Sequence, residues 1–222
     1  MFSNTVGRKV VMAVTGLIMV LFIVGHLAGN STIFWGPNAL NTYAKHLHDL
    51  TPVLWVVRLV MLGVLTLHVF FGINIAIENA AASPQKYAVA KKLKATFASE
   101  TMIWTGLLIF VFILIHLAQY TLRVTPDIVQ GVDAEGRFDV YTMVVSSMKH
   151  ILVGLFYIGT VVVVFLHTSH GVQSLFQTLG LTQTTCALDS FRSVGRFLST
   201  VFLVGFGLIP IAILADFLAL TK

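Results

Sequence analysis

The stretch Val10 to Gly29 reads VVMAVTGLIMVLFIVGHLAG, twenty residues without a charge and with a single histidine, His26. A helix rises about 1.5 Å per residue, so this length matches a hydrocarbon core of about 30 Å. Lipid offers backbone amides no partners, and a helix satisfies them within one segment. The stretch is long for the apolar part of a signal peptide and has no A-x-A cleavage pattern, so it reads as a retained span. Four more such stretches follow, near Val53 to Ile77, Met102 to Leu122, Ile151 to Gln173 and Phe197 to Leu218. The expected fold is an all-α membrane protein, a bundle of five transmembrane helices forming one domain over residues 1–222.

Composition agrees with that reading. The chain is 57% hydrophobic and 10% charged, where soluble domains carry about a quarter charged residues. Its net charge of +5 sits in clusters beside the apolar stretches, not in a basic stripe with interleaved aromatics. The expected surroundings are therefore a lipid bilayer, with no nucleic acid as partner. One cysteine, Cys186, excludes an internal disulfide, and without a C-x-x-C-H motif any haem must be held by ligation alone. Neither a G-x-G-x-x-G fingerprint nor a cysteine cluster occurs, so FAD and iron–sulfur clusters have no home in this chain. No internal repeat or separate soluble domain is expected.

Lysine and arginine in short loops set direction. Arg8 and Lys9 precede the first span, Lys86, Lys91, Lys92 and Lys94 lie between the second and third, and Arg192 and Arg196 lead into the fifth. These segments are expected to be cytoplasmic, in a bacterial inner membrane, with the amino terminus inside and the carboxyl terminus outside. Pro126, Gly131 and Gly136 mark the longest outer loop as irregular. Trp35, Trp55 and Trp104 fall near span ends, as an aromatic belt would place them.

An ionisable group inside a span is costly and points to function. His26, His68, His116 and His170 stand one per helix on spans one to four. Counting about 1.5 Å per residue, His26 and His116 fall near the outer ends of outward-running spans, and His68 and His170 lie deeper on inward-running ones. The four sort into an outer and an inner pair roughly 15 to 20 Å apart. A lone intramembrane histidine is commonly an interhelical hydrogen-bonder. Two matched pairs instead suit two six-coordinate haem b groups, each iron taking one imidazole on either face. A single zinc site would need its ligands to converge on one point. Gly25 and Gly29 near His26, Gly72 after His68 and Gly171 after His170 are expected to admit a macrocycle or helix. His167, one turn before His170, is the alternative inner ligand; Gly171 favours His170.

Other polar groups attract weaker readings. Arg58 and the Lys149–His150 pair lie at outer span ends, where a cation can meet haem propionates or simply anchor the interface. Lys45, His48 and Asp49 form, with Asn41, a short amphipathic stretch that can floor a quinone pocket, though a solvated loop reads the same way. The basic segment from Pro84 to Lys94 suits docking of a soluble partner or anionic lipid.

The segments Ile-Val-Gly-His26-Leu, Leu-His68-Val-Phe-Phe-Gly, Ile-His116-Leu and Ser-His170-Gly, in that order on successive helices, resemble the diheme cytochrome b anchors of succinate dehydrogenases and fumarate reductases, of the five-helix single-anchor type. The resemblance spans nearly the whole chain. It implies pairing of His68 with His170 near an iron–sulfur subunit and of His26 with His116 at the distal haem. It also implies a flavoprotein partner carrying FAD, an iron–sulfur partner, and electron delivery from succinate to menaquinone, so that the chain is a non-flavin subunit of an enzyme and not itself catalytic for succinate. Thr168 stands where some menaquinol-oxidising fumarate reductases have a glutamate, which places the chain nearer the succinate dehydrogenase branch. Rival readings are a quinol:fumarate reductase anchor, the cytochrome b of another membrane oxidoreductase, and a haem-free transporter using histidines for protons or metal.

Overall fold

The computed structural model describes residues 5–82 and 96–220. The basic segment from Pro84 to Lys94 lies outside the described residues. Helices make up the described chain: α1 Thr5–Ser31, α2 Pro37–Asp49, α3 Thr51–Ala81, a short α4 Phe97–Glu100, α5 Met102–His116, α6 Val140–Lys149, α7 Ile151–Thr178 and α8 Thr185–Leu214. Five stretches, built on α1, α3, α5, α7 and α8, are long and apolar enough to cross a membrane, and at most 33% of each one's most apolar window is buried. The remaining faces, carrying residues such as Leu59, Leu108, Leu152 and Phe197, are left for lipid.

Local chemistry explains most ends. Pro37 and Pro52 open α2 and α3 from the first turn, where the missing N–H costs nothing. Thr184 caps α8 by accepting from the Ala187 amide, and Asp139 caps α6 by accepting from Thr142. The fifth span therefore begins about three turns earlier than the hydropathy reading, with Arg192 and Arg196 on the helix and not before it, because the cap and not the last charge decides where a helix starts. The outer loop also holds more than irregular chain: α6 follows one isolated bridge between Val132 and Phe138. Pro210 sits buried inside α8 and denies the Phe206 carbonyl its usual helical donor.

Helices α1, α3, α5 and α7 surround a common axis in that ring order, α1 also neighbouring α7, and α8 runs along α7. The end at which α1 finishes is here termed outer and the other end inner. The buried core lies toward the outer end, where Ile33, Leu40, Tyr141, Val145, Met148, Tyr157, Ile209 and Ile213 pack beneath α2 and α6. At the inner end Arg8 of α1 pairs with Glu78 of α3, tying the two helices together.

Candidate functional site

Two pairs of imidazoles face each other across the axis, each joining helices on opposite sides of the ring. His26 of α1 meets His116 of α5 with ring centroids 5.9 Å apart and planes at 89°. His68 of α3 meets His167 of α7 at 6.5 Å and 68°. The partner of His68 is therefore His167, where the sequence favoured His170. Three residues advance a helix by about 300°, so the two side chains of α7 leave at different angles, and His170 is left half-buried beside the pair.

Hydrogen bonds fix both the level and the tautomer of the inner pair. Thr15 Oγ1 lies 3.0 Å from His68 Nδ1, and Thr105 Oγ1 lies 3.1 Å from His167 Nδ1. Each threonine hydroxyl already donates to a carbonyl one turn back, Thr15 to Val11 at 2.7 Å and Thr105 to Thr101 at 3.0 Å. Its oxygen can then accept from Nδ1–H, as can the Met12 carbonyl at His68 and the Met102 carbonyl at His167, an arrangement that leaves each Nε2 lone pair free. Thr15 and Thr105 mark the inner layer, and His26 and His116 follow eleven residues later on the same helices. The layers stand about 16 Å apart on that rise.

The outer pair is held differently. His116 Nδ1 is 3.2 Å from the Tyr157 hydroxyl, which donates to Gln119 Oε1 at 2.7 Å. Gln119 Nε2 donates to Asp127 at 3.1 Å, and Ser147 donates to the same carboxylate. Directly after His116 the chain widens into a π-helix, Leu117–Leu122, a local form often found at functional sites. His26 instead rests on rings: Phe22 stacks on it at 5.5 Å, and Phe206 of α8 lies 5.9 Å away. The fifth span thus contributes to the site as well as packing beside it.

The arrangement also exposes a repeat that the sequence reading missed. Thr15-Gly16-Leu17 and Thr105-Gly106-Leu107 are each followed, at the same interval, by His-Leu-Ala, at His26 and at His116. Leu67-His68 and Leu166-His167 each precede a glycine at the same interval, Gly72 and Gly171. Helices α1 and α3 therefore correspond to α5 and α7, and His167 corresponds to His68. The glycines against the rings belong to the partner helices. A Cβ on Gly16 would stand 3.4 Å from His68 Cε1, and one on Gly106 would stand 3.2 Å from His167 Cε1. Gly29 instead admits Tyr43, Gly72 faces Met12, and Gly25 has open space around it.

The remaining expected residues divide. Lys149 is held by Asp216 and by the Ile213 carbonyl, so its charge is already matched, and His150 is exposed at the start of α7. Arg58 lies over the Trp55 ring at 5.3 Å. Near it is Arg123, which directly follows the π-helix. The Arg123 guanidinium sits 3.7 Å over Phe138, and its Nε is buried without a hydrogen-bond partner. Burial, and then the charge of Arg58, push the Arg123 pKa below its ordinary value. Lys45 pairs with Asp49 at 2.7 Å, and His48 Nδ1 turns back to the Ala44 carbonyl at 2.8 Å, all on an exposed part of α2. None of the three touches the outer imidazoles.

Comparison with known proteins adds no relative. No family model matches the chain, and neither a curated sequence nor a solved structure resembles it significantly.

Proposed function

We propose that the chain is the membrane anchor of a succinate:quinone oxidoreductase, holding two haem b groups and passing electrons from an iron–sulfur subunit toward a quinone, with menaquinone as the favoured acceptor. The observation that carries the haem assignment is the geometry of the two imidazole pairs. Nitrogen sits about 2.0 Å from a bound transition metal and about 1.1 Å from its own ring centre, so an iron between two imidazoles sets ring centroids about 6 Å apart. The pairs at 5.9 and 6.5 Å meet that spacing. Both are pairs and not clusters, which fits two axial ligands and a planar group between them.

The residues that would hold the groups are His26 and His116 in the outer layer and His68 and His167 in the inner one. Bound there, the haems would supply one-electron carriage, held by the four imidazoles. The chain contributes the rest. Thr15, Thr105 and Tyr157 orient three of the four imidazoles, and Gly16 and Gly106 leave room for the inner rings. Arg58 and Arg123 bring to the outer end two cations without a carboxylate partner among the described residues, a suitable match for propionates. Phe22 and Phe206 pack against His26, and Phe112 lies 5.5 Å from the His116 ring, giving the outer pair an apolar surround.

Assignment to the succinate-oxidising complex rests on the order of the histidine segments along the helices. With His167 as ligand, the position two residues before the last ligand is Phe165, so that glutamate is missing in this register too. Purification with native partners, followed by pyridine haemochrome and flavin assay, tests both levels. Two equivalents of protohaem per chain with a flavin-carrying partner are expected. Protohaem without succinate:quinone activity would reassign the chain to another oxidoreductase, and no protohaem would remove the haem reading and favour a transporter.

A further inference from the structure

We propose that Thr15 and Thr105 are positioning residues for the inner haem: each accepts a hydrogen bond from the distal nitrogen of an inner imidazole and thereby holds that haem at a lower midpoint potential than a free imidazole pair would give. The inference rests on the haem reading above and extends it to residues that touch neither iron nor porphyrin.

Three observations carry it. The contacts are duplicated, at 3.0 Å for Thr15 with His68 and 3.1 Å for Thr105 with His167, on two helices related by the internal repeat. Each hydroxyl has a carbonyl of its own helix within donating distance, Val11 at 2.7 Å for Thr15 and Thr101 at 3.0 Å for Thr105, which leaves its oxygen able to accept from the ring. Each threonine is also buried, at 4% and 5% exposure, and precedes the glycine whose missing side chain lets the imidazole approach. An imidazole that donates its second N–H to an acceptor becomes a more basic ligand, and a more basic ligand favours ferric iron. A hydroxyl whose proton is pinned elsewhere is a fixed acceptor. The outer pair has one such acceptor and not two: His116 meets the Tyr157 hydroxyl, and His26 rests on aromatic rings.

The test is a redox titration of the purified complex, following each haem by its α-band and by low-temperature electron paramagnetic resonance. Samples are the parent protein, Thr15→Val, Thr105→Val, the double variant, and Thr15→Ser and Thr105→Ser. Valine keeps the shape and removes the hydroxyl acceptor, leaving the Met12 or Met102 carbonyl beside the ring; serine restores the hydroxyl. In each valine variant the inner haem alone is expected to become easier to reduce, its reduced-to-oxidised ratio at fixed potential rising about two- to tenfold for one lost hydrogen bond. The double variant goes further, and serine returns toward the parent. If a valine variant binds haem poorly, selective loss of the inner haem with retention in the serine variant supports the same role. An unchanged inner haem, an equal shift of both haems, or a fall in the inner potential would overturn it. A parent protein without protohaem fails the underlying reading instead, before any variant is compared.

Discussion

The Tyr157 hydroxyl lies 3.2 Å from His116 Nδ1. It donates to Gln119, and Gln119 donates on to Asp127 in the outer loop, so the Tyr157 oxygen is free to accept from the imidazole. Both Tyr157 and Gln119 are nearly fully buried, at 6% and 5% exposure. Tyr157→Phe would leave an imidazole N–H and an amide oxygen without partners in a dry place. An unsatisfied buried group costs about 1 to 3 kcal/mol, so thermal stability should drop measurably. The outer haem alone should also change potential, its imidazole having lost an acceptor. Equal disturbance of both haems would show that the tyrosine is merely a packing residue.

His167→Ala is expected to remove the inner haem, and His170→Ala to leave two haems in place. Haem content per polypeptide, with each α-band resolved at low temperature, reads the result directly. Loss of the inner haem from the His170 variant would restore the pairing that the Gly171 neighbour suggested. The imidazole opposite His68 is the stronger guide, since a ligand must reach the axis and not merely lie at the right depth.

Much of this was legible in the chain, for identifiable reasons. Five spans and four histidine-bearing helices follow from hydropathy and depth, because bilayer thickness and helical rise are nearly fixed quantities. Depth alone does not separate His167 from His170, which differ by less than one turn. Angle around the helix decides that, and the signal was present: Leu67-His68 and Leu166-His167 stand at equal distances from a glycine. The threonines and Arg123 went unnoticed because a hydroxyl bonded to its own helix, or an arginine beside a loop, carries no mark in one dimension. Lys149 illustrates the complementary case. Its partner, Asp216, is 67 residues away.

Arg123→Gln should loosen the outer haem. The buried Nε of Arg123 and the nearby Arg58 place two cations together with no carboxylate partner among the described residues, an arrangement that repels itself until an anion arrives. Washing in detergent and assaying pyridine haemochrome should show retention falling from two equivalents toward one, with the inner haem's potential unmoved. Lys149→Gln, which breaks a pair with Asp216 instead, should leave haem content unchanged. If the lysine variant sheds haem and the arginine variant does not, the propionates lie at the other cation.

The outer loop is fastened to α2 by a carboxylate cluster whose pH response has a definite sign. Asp133 accepts from Arg137 Nε at 2.7 Å, from the Arg137 and Glu135 amides at 2.9 and 3.0 Å, and from Asn41 at 3.1 Å. Asn41, 1% exposed, also donates to Asp139 at 3.0 Å and accepts from the Tyr141 amide at 3.0 Å. The hydrogen bonds from Arg137 hold the Asp133 pKa down to about 2, below the value of about 3.9 for a free aspartate. A group depressed on folding stabilises at pH above its unfolded value, and that contribution is lost as pH falls through its folded value. Hydrogen exchange at the Glu135 and Arg137 amides should therefore stay protected below pH 4 and quicken as pH approaches about 2. In Arg137→Met the carboxylate loses its strongest donors, so the loss of protection should move up toward pH 4. Identical pH profiles in the two proteins would mean that Asp133 does not govern the attachment of this loop.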